Sequence, residues 1–239
     1  MDIAGKITII TGASEGIGLA TARAFVAEGA RVVLAARSAG KLEALAEELR
    51  GQGHEALAVP TDMTDRDAVK RLVDEASRKF GRLDILVNNA GQAAAGSVAD
   101  VSEEAFRRIL DLNVFGPLYA MQAAVPVMRR GGGGLIINVS SMVSKMHIPG
   151  LGTYAATKSA LNMLSETARV ELAPDKIRVI VVYPRMTATD FGKHSLGDQG
   201  LRSRQRSATS DVPRDSAETV AGKIVEAARS EPEEQFMDR

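Results

Sequence analysis

The chain has 239 residues, 45% apolar, 25% charged and only 4% aromatic, which suits one sizeable core filled by small and aliphatic side chains and excludes a large multidomain machine. Thirty Lys plus Arg balance thirty Asp plus Glu, so no overall field draws nucleic acid or an anionic membrane, and neither partner is expected. The absence of cysteine rules out disulfides and thiolate-bound metals, and His54, His147 and His194 lie too far apart for ligand spacing, so no metal is expected.

In chain order, Lys6 to Thr11 is a short Ile-rich run followed by glycines and a periodic segment from Leu19 to Glu28, which reads as strand, turn, helix. Its N-terminus, MDIAGKITIITGAS, carries no basic leader, and nowhere does an apolar run approach a membrane span, so a cytoplasmic protein is expected. Arg31 to Ala36 is a second buried-type strand, and Lys41 to Arg50 has leucines at helical spacing. The alternation continues through a strand at Ala56 to Pro60, a charged helix from Asp65 to Phe80, a strand at Leu83 to Asn88 and helical material from Ser102 to Arg130. A strand at Leu135 to Ser140, a helix from Tyr154 to Leu172, a strand at Ile177 to Tyr183 and a helix from Ser216 to Arg229 complete it. Apolar strands without polar alternation, separated by helices, indicate an α/β protein with a doubly wound, mostly parallel Rossmann-type sheet covered by helices on both faces.

Residues 1–239 therefore read as one domain. Thr187 to Asp215 breaks the rhythm, being rich in Ser, Asp, Gly and Arg, and is the expected variable substrate loop.

The segment ITGASEGIGLATARAF places Gly12, Gly16 and Gly18 between the first strand and the first helix. So tight a turn needs residues without side chains, and it lets a pyrophosphate approach helix N–H groups. The spacing is GxxxGxG rather than GxGxxG, and no GK[ST] follows, so a dinucleotide fits better than a Walker-type phosphate loop. After the second strand, where a carboxylate would suit a free ribose 2′-hydroxyl, stand Ala35, Ala36, Arg37 and Ser38; a guanidinium there favours NADP over NAD. Glu15 inside the turn is the counterweight, weakening phosphate binding if it faces the ribose. Asp62 after the third strand can accept from an adenine amino group or simply form an Asx turn, and Asn88 to Gly91 after the fourth can shape the cofactor channel.

Tyr154 and Lys158, four apart on a helix, share one face. A phenol is a poor acid or base near neutrality, and an adjacent ammonium is expected to bring its pKa toward the working range. Ser141, at the end of IINVSS, is expected at the same edge, where its hydroxyl can orient a carbonyl oxygen; neighbouring Ser140 is the competing candidate. Asn113 in LDLNVFG can contribute its side-chain amide or hold a water near Lys158.

The ordered set TGASEGIG at 11–18, NNAG at 88–91, Asn113, Ser141 and YxxxK at 154–158 resembles the short-chain dehydrogenase/reductase family over nearly the whole chain. The resemblance implies interconversion of a ketone or aldehyde with an alcohol, NADPH-dependent on the reading of Arg37. Tyr154 would be the general acid/base, Lys158 the ribose-binding partner that lowers its pKa, Ser141 the carbonyl-positioning group and Asn113 the support of a water relay. It also implies cofactor contacts from Gly12, Ser14, Gly16, Ile17, Gly18, Arg37, Asp62, Asn89, Ala90, Gly91, Tyr154, Lys158, Pro184 and Thr189, and a homodimer or homotetramer built partly on helices near 103–130 and 154–172. The alternatives are an NAD-dependent alcohol dehydrogenase of the same family and a catalytically weak NADP-binding regulatory protein.

Two departures stand against that pattern. YPRMTATDF has Arg185 where the family usually has glycine, an arginine that would distort the turn or project into the cleft as an anion-binding group. The chain ends soon after Glu233, so a seventh edge strand is reduced to Glu234 to Met237 or absent. Met142, Val143, Met146, His147 and Ile148 suggest an apolar mouth; Arg202, Arg204 and Arg206 read as a solvated loop face or, less economically, as recruiters of an acidic substrate group.

Overall fold

The apolar runs become strands because the sheet offers them burial on both faces: every residue of Ile7–Thr11 and of Gly134–Val139 is buried. The computed structural model describes residues 1–197 and 213–238. In chain order its elements are β1 (Ile7–Thr11), α1 (Gly16–Ala27), β2 (Arg31–Ala36), α2 (Ala39–Gly51), β3 (Ala56–Pro60), α3 (Arg66–Phe80) and β4 (Ile85–Asn88). There follow β5 (Ala94–Ala95), α4 (Glu103–Leu110), α5 (Gly116–Arg130), β6 (Gly134–Val139), α6 (Gly152–Leu172), β7 (Ile177–Tyr183), β8 (Leu196–Gly197), α7 (Ala217–Ser230) and β9 (Glu234–Phe236).

The main sheet has seven strands in the order β3-β2-β1-β4-β6-β7-β9, all pairs parallel. One apolar layer joins α1, α2 and α7 to one face through Phe25, Leu42, Leu49 and Ile224. The other joins α3, α5 and α6 through Val69, Leu72, Met128 and Leu172. Phe25 is wholly buried, and its replacement by alanine costs about 3–5 kcal/mol. The strand order reverses between β1 and β4, which opens a crevice beyond their carboxyl ends.

Helix starts are set locally where the sequence supplies a cap. Asp65 accepts from the Asp67 and Ala68 N–H groups, Ser102 from that of Ala105, and Ser216 from that of Thr219. The N-terminus of α1 has no side-chain cap and no acidic residue in its first turn. The helical stretch expected over 102–130 is divided: α4 ends at Leu110, a π-helical turn spans Asp111–Phe115, and α5 then begins at Gly116.

Asn88 Nδ2 donates to Asn138 Oδ1 at 2.8 Å, Asn138 Nδ2 donates to Ser165 Oγ at 2.8 Å, and Ser165 Oγ donates to the Leu161 carbonyl at 2.6 Å. This buried polar chain ties β4 and β6 to α6, fixing the height of that helix above the sheet.

The edge strand exists. β9 pairs with β7 through Val181↔Glu234, Val182↔Gln235 and Tyr183↔Phe236. The Tyr183 and Phe236 rings stack with centroids 4.7 Å apart, and Tyr183 Oη donates to Glu234 Oε1 at 2.6 Å. Burial together with the Glu234 carboxylate pushes the Tyr183 phenol well above its usual range.

Candidate active site

The glycine turn is dictated by contact. Gly16 has φ +55°, and a Cβ on Gly18 would lie 2.2 Å from the Gly12 carbonyl oxygen, so neither position accommodates a side chain without moving backbone. Ser14 and Ile17 complete the turn into α1, half-buried. Thr11 Oγ1 accepts from the Asn89 and Ala90 N–H groups, each at 3.0 Å, while Asn89 Nδ2 donates to the Thr11 carbonyl at 2.9 Å. Two glycine-bearing loops are thereby laced together at the switch point, with uncapped N–H groups of α1 facing the same crevice.

This donor set fits a dinucleotide: a side-chain-free approach to a helix N-terminus would receive a pyrophosphate, and the ends of β2 and β3 would face an adenosine. Arg37 is exposed just past β2 and has no hydrogen-bond or ion-pair partner among the described residues. Glu15 lies against Lys41 and His194, with Lys41 Nζ at 3.0 Å and His194 Nε2 at 3.2 Å from its carboxylate oxygens. Asp62 forms an Asx turn, its Oδ1 accepting from the Thr64 N–H at 2.9 Å and the Thr64 hydroxyl at 2.8 Å.

At the other end, Tyr154 and Lys158 lie on the inner face of α6, both buried. Lys158 Nζ donates to the Val139 carbonyl at 2.8 Å. Burial pushes the Tyr154 phenol up to about 12, with a hydrogen bond from Ser141 pulling the other way. The expectation that the ammonium would draw the phenol toward neutrality is therefore corrected for the cofactor-free chain: desolvation outweighs any help from Lys158, whose own pKa burial lowers to about 8. Of the two serines, Ser140 is buried beneath the site, whereas Ser141 stands at its margin and also accepts from the Val143 N–H at 3.2 Å.

Asn113 sits in the π-helical turn with both amide hydrogens engaged. Its Oδ1 accepts from the Gln92 N–H at 2.9 Å, and Nδ2 donates to the Gln92 carbonyl at 2.8 Å and to Thr157 Oγ1 at 3.0 Å. The side chain thus braces the loop after β4 against α6. A Cβ on Gly91 would lie 3.2 Å from Asn113 Oδ1 and 3.5 Å from Lys158 Nζ, so glycine keeps this junction open.

The sequence did not reveal the course of the chain beyond Pro184, whose carbonyl accepts from the Met142 N–H at 2.9 Å and so joins β7's exit to the Ser141 loop. Thr189 lies against the glycine turn, within 3.3 Å of a Cβ on Gly16, and Phe191 places its ring 5.8 Å from that of Tyr154. The chain then pairs β8 with β5, Leu196 opposite Ala94. A strap thus crosses the crevice from the glycine turn past Tyr154 to the loop after β4. Arg185 does not enter the cleft: it makes a two-pronged pair with Asp215, Nη2–Oδ1 3.0 Å and Nε–Oδ2 3.2 Å. Val143, Tyr154, Ile148, Leu151 and Leu196 form an apolar cluster beside the site, while Met146 and His147 point outward to solvent. Arg202, Arg204 and Arg206 lie outside the described residues.

A glycine cradle at the switch point and a buried phenol–ammonium–serine group at the same sheet edge define a dinucleotide-binding oxidoreductase fold. Known proteins agree. A family model described as short chain dehydrogenase matches residues 6–199. An uncharacterised oxidoreductase of Methylorubrum extorquens is 42% identical, over 91% of this chain and 89% of that protein. Among solved structures, a Burkholderia phymatum short-chain dehydrogenase/reductase in complex with NAD superposes with TM-score 0.92 at 25% identity, covering 99% of this chain and 90% of that one. An alcohol dehydrogenase of Thermococcus sibiricus complexed with 5-hydroxy-NADP gives TM-score 0.83 at 30% identity, covering 97% and 95%. The chain belongs to the short-chain dehydrogenase/reductase family and is an NAD(P)-dependent oxidoreductase. Among the described residues no helix is long and apolar enough to cross a membrane.

Proposed function

We propose that the protein reduces a ketone or aldehyde to an alcohol with NADPH, in one domain over 1–239. The observation that carries this reading is the convergence of Ser141, Tyr154 and Lys158 at the carboxyl edge beside the glycine turn and the NNAG loop. When bound, the nicotinamide supplies hydride.

Tyr154, held protonated by burial, gives its proton to the oxygen of the carbonyl being reduced, and Ser141 orients that oxygen by hydrogen bonding. Lys158, fixed at the Val139 carbonyl, would hold the ribose of a bound cofactor, and its positive charge on the same helix face as the phenol stabilises the phenolate left after transfer. Asn113 acts as a brace that holds the loop after β4 at the correct distance from α6. Gly12, Ser14, Gly16, Ile17 and Gly18 cradle the pyrophosphate; Asn89, Ala90, Gly91, Pro184 and Thr189 line the nicotinamide side. Asp62 uses its Asx-turn carboxylate toward the adenine.

NADP is preferred because Arg37 is unengaged and Glu15 is drawn to the Lys41 ammonium 3.0 Å away. The apolar cluster beside Tyr154 suits a substrate with a hydrophobic body. A homodimer uses the π-helical turn leading into α5 and the outer face of α6, where Phe115 on the turn and Met163 and Val170 on α6 are exposed at 43%, 63% and 75%. The deciding experiment is Tyr154→Phe: carbonyl-dependent NADPH oxidation should drop at least about a hundredfold while NADPH binding persists. Wild-type turnover in that variant would sink the assignment.

A further inference from the structure

We propose that Arg185 is a positioning residue rather than a receptor for an anionic substrate: its pairing with Asp215 clamps the segment from Pro184 to Phe191 as one wall of the reaction cleft. The inference rests on the dehydrogenase reading for its consequence, but the clamp itself is a property of this chain alone. The pair joins the exit of β7 to the residue preceding the Ser216 cap of α7. Asp215 is the better shielded partner, its side chain 14% exposed against 44% for Arg185. Two parallel guanidinium–carboxylate bonds hold orientation as well as distance.

Backbone bonds run through the same point. The Asp215 N–H donates to the Met186 carbonyl and the Ala188 N–H to the Asp215 carbonyl, both at 2.9 Å, and Thr187 bridges Asp215. Met142 N–H to the Pro184 carbonyl fastens the other side of the segment to the Ser141 loop. What the segment carries forward is Thr189 on the glycine turn and Phe191 over Tyr154. Arginine at a position where the resembling family usually has glycine thus supplies a cross-link. Of the cations nearby, Lys193 pairs with Asp190 and Lys145 with Glu234.

The test compares Arg185→Met, Asp215→Asn, the double variant, Arg185→Lys, and the exchanged pair Arg185→Asp with Asp215→Arg. Hydrogen exchange on the cofactor-free chain should quicken about fivefold at the Ala188 and Asp215 amides in either single variant, no further in the double, with partial recovery in Arg185→Lys and in the exchanged pair. The dissociation constant and KM for NADPH should rise by a similar factor, about fivefold, while kcat changes less. Benzaldehyde and 4-carboxybenzaldehyde should be affected alike. Unchanged exchange and NADPH affinity in Arg185→Met would overturn the clamp. So would a selective gain for 4-carboxybenzaldehyde in Asp215→Asn, which would mark the released arginine as an anion receptor. If the wild-type chain binds neither NADPH nor NADH, the dehydrogenase reading falls, and the exchange data alone still decide whether the clamp holds.

Discussion

Lys158 shows how one buried charge divides labour between stability and chemistry. Its pKa falls from 10.5 to about 8 because the folded chain desolvates the ammonium. Below about pH 8 both folded and unfolded chains hold the proton, and the folded state bears the full penalty, about 3 kcal/mol at most. Between about 8 and 10.5 the unfolded chain binds more protons, so stability rises with pH across that window. Lys158→Met should accordingly be roughly 1–3 kcal/mol more stable than wild type in urea at pH 7, with the advantage vanishing toward pH 10.5. An advantage independent of pH would contradict this account. Tyr154 stays protonated over the same range, so carbonyl reduction should hold steady to about pH 8 and decline above it as Lys158 loses charge. A pH profile of kcat/KM for NADPH, which reports the groups of the free enzyme, checks this. The residue types and their spacing were readable from YxxxK; the sign of the tyrosine shift was not, because burial is supplied by other parts of the chain.

At the scale of elements, periodicity located the strands well and the breaks in helices poorly. An apolar pattern continuous across Ser102 to Arg130 cannot show that one turn widens at Asp111–Phe115, since the π turn is stabilised by Asn113 reaching Gln92 and Thr157 on other segments. The strap was visible only as a loss of rhythm; its two-residue pairing of β8 with β5 depends on an edge that exists after folding. The last strand was left open by the sequence because three residues carry too little pattern. In the fold, β9 covers the edge of β7 and stacks Phe236 on Tyr183. Phe236→Ala should lower stability by about 1 kcal/mol. Truncation after Glu233 should cost more and promote association through the uncovered β7 edge. Denaturant melts and light scattering measure the two effects.

At the scale of the molecule, the reversal of strand order between β1 and β4 determines where a ligand lies, and the ends of β2, β4, β6 and β7 determine what meets it. Saturating NADPH at about 100 times its dissociation constant should add about 2.7 kcal/mol to folding stability. NADH at the same concentration should add less, and Arg37→Asp should reverse that order in a thermal-shift assay. An unchanged order would remove Arg37 from the phosphate site. Met163 and Val170, seven apart on α6, share the face opposite Tyr154 and Lys158. Glutamate at both positions should convert the proposed dimer to monomer in sedimentation without loss of the α6 hydrogen bonds; a wild-type monomer would refute the interface.

The sequence by itself determined the αβ alternation, the glycine turn, the Tyr154–Lys158 face and the parallel sheet, because these follow from short-range sterics and hydrophobic period. Tertiary structure alone decided that Asn113 braces, that Glu15 turns away to Lys41 and His194, and that Arg185 faces Asp215 rather than the cleft. Each of these depends on a partner distant in the chain, and the direction of a side chain among several polar partners is settled by which of them the fold brings within reach.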